Sequence, residues 1–286
     1  MNLFYTRDNG VISDIFLVEQ LKKLGANECK TIFVHSDIMF GTMNPELNRQ
    51  AFMKILLEIF DKLEVENIIF PTFSYSFANN KDFDVKNSRS LMGSLSEAFR
   101  KQDNVYRTLD PLTSFAIKGN LANKFKDFKP INMSFGKNTF FDLLDKEKNV
   151  KYLFFGADFA KSFTYLHHVE KILNVEYRFD MEFSGTITDY NDIKSNIKWS
   201  INTQCGGIKL REDTYFKDEL IKFGKLKFLK CAEKELSCIS QDVAKDEIIK
   251  RLEKNKFYFL KEPYEAKDLT KIYSMKPDDS GYITHC

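Results

Sequence analysis

Between Thr31 and Pro71 the chain spells strand, helix, strand, and that order constrains the fold more than any other feature. Thr31-Ile32-Phe33-Val34 is a β-branched and aromatic run, the composition of a buried strand. Asn44 and Pro45 offer a helix start, with asparagine as N-cap and proline at the first helical position. Phe52, Ile55, Leu56, Ile59 and Leu63 follow as an apolar stripe at helical spacing. Asn67-Ile68-Ile69-Phe70-Pro71 then reads as the next strand. Two strands joined through a helix favour a right-handed crossover and a parallel pair. The expected class is α/β, with a central, largely parallel sheet flanked by helices.

The remaining segments extend this reading. Leu3 to Val11 alternates around Asp8-Asn9-Gly10, a tight-turn signal for a hairpin. Ser13 is placed to cap a helix through Leu24, with Gly25 ending it. Residues 72–93 form a long polar and aromatic loop, and Ser94-Leu95-Ser96-Glu97 spells a capping box for a helix through Arg100. Ser114 to Lys118 reads as a strand, Asn138 opens a short helix, and Lys151 to Phe155 is a strand leading into a further helix. In the second half Tyr177 to Ile187 alternates as β, Glu212 to Phe223 is helical, Leu226 to Ala232 is strand-like and Ser240 to Lys254 is a capped helix. Additional β-rich elements are therefore expected in the C-terminal half. No repeat or low-complexity linker divides the chain, so residues 1–275 are expected to form a single domain. Pro277, Asp278, Asp279, Ser280 and Gly281 mark 276–286 as a loose tail.

Charge and composition exclude several classes. With 43 basic and 41 acidic residues the formal charge is +2, which provides no broad field for a nucleic-acid backbone. No apolar run approaches the roughly 18 residues of a membrane span, and Met1 to Asp8 lacks signal-peptide architecture. The expected setting is the cytoplasm. The five cysteines, Cys29, Cys205, Cys231, Cys238 and Cys286, are scattered without a C-x-x-C pair, which supports neither a zinc knuckle nor a redox motif.

The segment richest in chemistry is Phe163-Thr164-Tyr165-Leu166-His167-His168-Val169-Glu170, which holds two of the four histidines. Histidine exchanges protons near neutrality. His167 and Glu170 are three apart and share a helix face, whereas His168 points elsewhere. That pattern fits a base with a carboxylate beside it, and equally a partly buried histidine satisfied by a neighbour. A catalytic zinc site needs about three protein ligands, and no second His pair completes one; no metal is expected.

Strand ends supply the other candidates. His35-Ser36 and Pro71-Thr72-Phe73-Ser74-Tyr75 each follow a strand directly, where open α/β sheets collect ligands. Each taken alone reads as turn or cap residues; the set of loops is more persuasive. Arg107 lies in Tyr106-Arg107-Thr108-Leu109-Asp110-Pro111 on an expected loop. Cys205 before Gly206-Gly207 permits an acyl-cysteine, but no histidine lies nearby in sequence and a Gly-Gly pair is more often a turn.

Together these pieces resemble the aminoglycoside 3-N-acetyltransferase family of acyl-CoA-dependent N-acyltransferases over roughly residues 13 to 175. In order they are Val34-His35-Ser36 with Phe40-Gly41, Pro71 to Tyr75, Phe83-Asp84, Met92 to Arg100, Arg107 to Pro111 with Ser114, and Thr164 to Glu170. The resemblance implies transfer of an acyl group, acetyl above all, from coenzyme A to an amine, with His167 as general base. It implies Glu170 or Asp84 as the carboxylate beside that base. His35, Ser36, Thr72, Phe73, Ser74 and Thr164 would wall the pantetheine arm, and Arg107 would meet a phosphate or order its loop. Tyr75, Asp110 and His168 would face the acceptor. The sequence departs from the pattern at Asp110, where a histidine is common, and at Gly136-Lys137-Asn138-Thr139-Phe140, a reduced form of a Gly-x-x-Ser-Pro-Phe piece.

Those departures lie on the acceptor side, so the resemblance implies the chemistry more directly than the antibiotic substrate. Asp37, Asp82, Asp84 and Asp110 on the candidate loops are interrupted by Lys81, Lys86, Arg89 and Arg107. Such a mixed field suits a small molecule with both an amine and phosphates. The expected acceptor is a nucleotide-linked amino sugar used for surface glycans. The alternatives are an aminoglycoside and a non-catalytic, ligand-binding relative. A homo-oligomer is compatible with the sequence but not specified by it.

Overall fold

The computed structural model describes residues 1–211, 215–272 and 275–284. Along the chain run β1 (Asn2–Tyr5), β2 (Val11–Ser13), α1 (Asp14–Lys23), β3 (Thr31–Ser36), β4 (Thr42–Met43), α2 (Arg49–Asp61) and β5 (Asn67–Pro71). Next come β6 (Phe83–Asp84), α3 (Gly93–Phe99), β7 (Val105–Arg107), β8 (Phe115–Gly119), α4 (Leu121–Asp127), α5 (Phe140–Asp145) and β9 (Val150–Phe155). The chain continues through α6 (Phe159–Ser162), α7 (Tyr165–Ile172), β10 (Arg178–Thr188), β11 (Lys194–Gln204), α8 (Tyr215–Lys222), β12 (Lys227–Cys231), β13 (Lys234–Ser240) and α9 (Gln241–Lys254). Residues 212–214, where the sequence begins the helix now seen as α8, lie outside the described residues, as does Cys286. No helix among the described residues is long and apolar enough to cross a membrane.

The central sheet has seven strands in the order β12-β13-β9-β3-β5-β8-β7. The strand–helix–strand unit makes β3 and β5 parallel, and β9 joins β3 in the same direction. Parallel pairing stops there: β8 and β13 add antiparallel on either side. A second sheet is the long β10–β11 hairpin, with β6 paired to the end of β10.

Side-chain alternation sorts the core into two layers. Ile32 and Val34 of β3, with Leu153 and Phe155 of β9, face Leu21, Leu56 and Phe60 of α1 and α2. Phe33, Tyr152 and Phe154 face the other way, toward Phe141 of α5, Val169 of α7 and Ile248 of α9. This gives an α/β/α sandwich whose second layer is dense in phenylalanine. It also fixes His35, two residues after Phe33, on the α7 side of the sheet.

Local signals held in some places and were overridden in others. Ser13 caps α1 by accepting from the Phe16 N–H at 3.1 Å, and Gly25 leaves the helix at φ 71°. The α2 helix starts later than Asn44-Pro45 suggests. Asn44 is drawn into a turn by its bond to the Asn2 carbonyl, and Asn48 caps the helix through the Ala51 N–H. The capping box at Ser94 does not form, because the Glu97 carboxylate reaches outside its helix to the Ser90 N–H and pairs with Arg100. Arg107 is not on a loop but ends strand β7.

One glycine shapes the entry to the site. Gly156, directly after β9, sits at φ 75°, and a Cβ there would meet the Asp37 carbonyl oxygen and the Phe40 ring. Both backbone and packing oppose a side chain. Gly156→Ala is expected to lower stability by about 2 kcal/mol, read as a lower urea midpoint with an unchanged m-value.

Candidate active site

A cleft of about 380 Å³ opens where the parallel strands end, the position an open α/β sheet offers a ligand. The end of β3 contributes His35 and Ser36, and the end of β5 contributes Pro71 and Phe73. After β9, the turn at Gly156 leads through α6 to Thr164 and α7, which places His167 in the same wall.

The α7 helix divides its polar side chains by direction. His168 is fully buried, its Nδ1 accepting from the Gly136 N–H at 3.1 Å and its Nε2 3.3 Å from Asp145. It braces α7 against α5 and does not line the cleft, which removes it from the acceptor side. His167 keeps 26% of its side chain exposed and lines the cleft. Its Nδ1 is 3.0 Å from Glu170 Oε2. Because the ionised carboxylate only accepts, Nδ1 carries the hydrogen and Nε2 keeps the basic lone pair.

Glu170 is 1% exposed and has three partners. Besides His167 it accepts from the Tyr177 hydroxyl at 2.6 Å and pairs with the equally buried Arg178 at 3.2 Å. Burial alone would raise its pKa, but the Arg178 charge and the hydrogen bonds from His167 and Tyr177 outweigh it and hold the carboxyl below the usual range. For His167, burial and then the Arg178 charge lower the pKa, and Glu170 only partly offsets them. The lowered pKa favours the neutral imidazole, which is the state a base requires.

His35 is 5% exposed and stacks on Phe154, with centroids 5.1 Å apart and planes 9° from parallel. Burial pushes its pKa down to about 3. Its Nε2 has no hydrogen-bond partner among the described residues. The ring as a whole lines the cleft beside Ser36.

The structure brings together His167, Glu170, His35, Ser36, Phe73, Tyr75 and Thr164, all at the cleft or directly behind it. It does not bring the others. Asp84 accepts from the backbone of Lys86 and Asn87 and from the Asn87 amide, closing its own turn, so Glu170 and not Asp84 accompanies His167. Arg107 is 2% exposed and spends its guanidinium on Thr72 O at 2.6 Å, Ser88 O at 2.5 Å and Ser114 Oγ at 3.0 Å. It orders loops and does not line the cleft. Thr72 and Ser74 are buried and donate to the Ser114 and Pro111 carbonyls. Asp110 is buried, collecting the N–H groups of Leu112 and Thr113 and the hydroxyls of Thr113 and Ser134. These four belong to the scaffold under the cleft. Cys205 is also buried and outside the cleft, and burial raises its thiol pKa.

Sequence reasoning missed Arg178, Lys161, Phe135 and Asp278. An arginine within an apolar-alternating strand was the available signal for Arg178. Nothing local marked Asp278, which reaches the cleft only through the way its segment docks. Among the described residues no group of three or more His, Cys, Asp or Glu side chains is arranged to hold a metal ion.

The family model for aminoglycoside 3-N-acetyltransferase matches residues 60–239. Among curated protein sequences none matches the chain. The fold is similar to YokD from Bacillus subtilis, at 19% identity and TM-score 0.68, over 85% of this chain and 94% of that one. It is similar to AAC-IIIb solved with CoASH, at 17% identity and TM-score 0.68, over 89% and 99% of the two chains. It is also similar to sisomicin-bound AAC-VIa, at 15% identity and TM-score 0.67, over 83% and 96%.

Proposed function

The chain belongs to the aminoglycoside 3-N-acetyltransferase family, and we propose that it transfers an acetyl group from acetyl-CoA to the amine of an amino sugar, with His167 as general base. The observation that carries this reading is the partly exposed imidazole in the cleft at the ends of the parallel strands, its Nδ1–H given to a buried carboxylate. Acetyl-CoA supplies the activated carbonyl. His167 Nε2 takes the proton that nitrogen loses as the N–C bond forms, and returns it to sulfur as the C–S bond breaks. Glu170 fixes the ring tautomer and stabilises the charged imidazolium between those two events.

The lining suits a thioester with a polar arm. Ser36 and Thr164 bring hydroxyls, His35 brings its neutral imidazole, and Phe73, Leu91 and Met92 bring apolar surface. CoASH occupies the similarly folded AAC-IIIb. Lys161 is the one ammonium among the described lining residues.

For the acceptor, the described lining carries one carboxylate, Asp278, and one ammonium, Lys161. A polycation needs more negative charge than that. The charge balance favours an acceptor with one amine and an anionic part, as in a nucleotide-linked amino sugar made for surface glycans. An aminoglycoside is the second reading, favoured by the family and by the sisomicin bound to AAC-VIa. Amine-dependent thiol release from acetyl-CoA tests both, with UDP-glucosamine and sisomicin as acceptors. Turnover with UDP-glucosamine is expected. Turnover with sisomicin alone reverses the choice, and release with neither removes the transferase reading.

A further inference from the structure

The segment read from sequence as a tail is tied into the wall of the cleft. Asn79 grips it with both ends of its amide, donating to the Ile283 carbonyl at 2.9 Å and accepting from the Ile283 N–H at 2.8 Å. That is the bonding of one residue pair in a sheet. Lys81 donates to the Tyr282 hydroxyl at 3.0 Å and sits 4.2 Å from its ring centroid. Met275 and Ile283 pack against the phenylalanine-rich layer. Between these anchors the chain closes a turn on Asp278: its N–H meets the Tyr282 carbonyl at 2.9 Å, and its carboxylate accepts from the Ser280 N–H at 2.8 Å and the Thr284 hydroxyl at 2.9 Å.

The turn has a chemical consequence. Asp278 and Thr284 line the cleft that holds His167, and Asp278 is the single carboxylate among its described lining residues. The remaining lining near the β5 end is aromatic or apolar, with Phe73, Leu91, Met92 and Phe135. A cation entering this cleft has one anionic partner there. We infer that residues 278–284 form the acceptor-recognition wall, with Asp278 binding the ammonium group that the acceptor carries on arrival; that group gives one proton to solvent in the open cleft before the neutral amine attacks. Asn79 is a positioning residue that acts through the segment it holds. Acceptor choice is then set by a segment far in sequence from the catalytic helix and exchangeable without disturbing it.

This rests on the acetyl-transfer reading, and the experiment separates the two. Thiol release from acetyl-CoA is measured for wild type, Asp278→Asn and Asn79→Leu, with whichever of UDP-glucosamine and sisomicin the wild type uses faster. Loss of one charge-assisted contact is expected to raise the acceptor KM about tenfold or more in both variants, with the acetyl-CoA KM within about twofold. Asn79→Leu is also expected to make 276–284 more sensitive to limited proteolysis. Unchanged acceptor KM in Asp278→Asn overturns the wall and leaves acetyl transfer standing. A rise confined to the acetyl-CoA KM overturns it as well, by placing the segment on the thioester side. A wild type that releases no thiol with either acceptor overturns the acetyl-transfer reading, and this inference with it.

Discussion

Replacing His167 with alanine is expected to lower kcat by about 10²–10⁴-fold, the usual contribution of a positioned base. The KM for acetyl-CoA should change little. The ring lines the cleft from one side, and the substitution leaves alone the β3 and β5 ends, where the proposed function puts the thioester's arm. The structural cost is small because a quarter of the side chain is already exposed and its neighbour Phe135 meets it edge-on at 6.0 Å. The pH profile should show the same residue. His167 titrates below the ordinary histidine value because burial and the Arg178 charge both oppose its protonation. Its base form therefore predominates at neutrality, and the acid limb of kcat/KM should lie below the ordinary histidine value of about 6.5. The alanine variant should lack that limb. Wild-type turnover in the variant would take the role away from His167.

The parts of this molecule legible in its sequence are those that local physics decides. The β-branched and aromatic run of β3 and the stripe of α2 demand a buried strand and an amphipathic helix whatever surrounds them, and the crossover between them follows. The three-residue spacing of His167 and Glu170 places both on one helix face, and the structure closes that pair at 3.0 Å. What escaped was decided by distant partners. Asp110, Arg107 and His168 are polar residues next to chemistry-bearing motifs, so they invite functional roles. Arg107 and His168 instead satisfy backbone groups on other elements, at Thr72 and Ser88 and at Gly136, while Asp110 closes its own turn on Leu112 and Thr113 and takes the distant Ser134 hydroxyl. A sequence shows that a residue can donate or accept, but not which orphaned carbonyl the fold will bring to it. Arg178 and Asp278 show the converse. One opens strand β10 and the other lies in a turn with Asp279 and Gly281, and only the folded β10–β11 hairpin and the docked 278–284 segment bring them to the site.

Glu170 carries two duties, and its variants should separate them. Glu170→Ala removes the partner of Arg178, whose side chain is 1% exposed. An uncompensated buried charge costs about 3–5 kcal/mol, so a large fall in the urea midpoint is expected. Glu170→Gln keeps the volume and one acceptor oxygen and should lose less. The charge also shapes the response to acid. The folded pKa of Glu170 is depressed, so its stabilising contribution is present above the unfolded value of about 4.3 and is lost as pH falls through the lower folded value. Glu170→Gln should therefore lose less stability between neutral and acid pH than the wild type. In catalysis the carboxylate raises the His167 pKa against burial. Its neutralisation should shift the acid limb of kcat/KM to lower pH and depress the plateau. If Glu170 acts through the imidazole, Glu170→Gln should leave the residual kcat of a His167→Ala background unchanged while still lowering its stability. A further loss of kcat in that background would show that the carboxylate reaches the reaction by a route of its own.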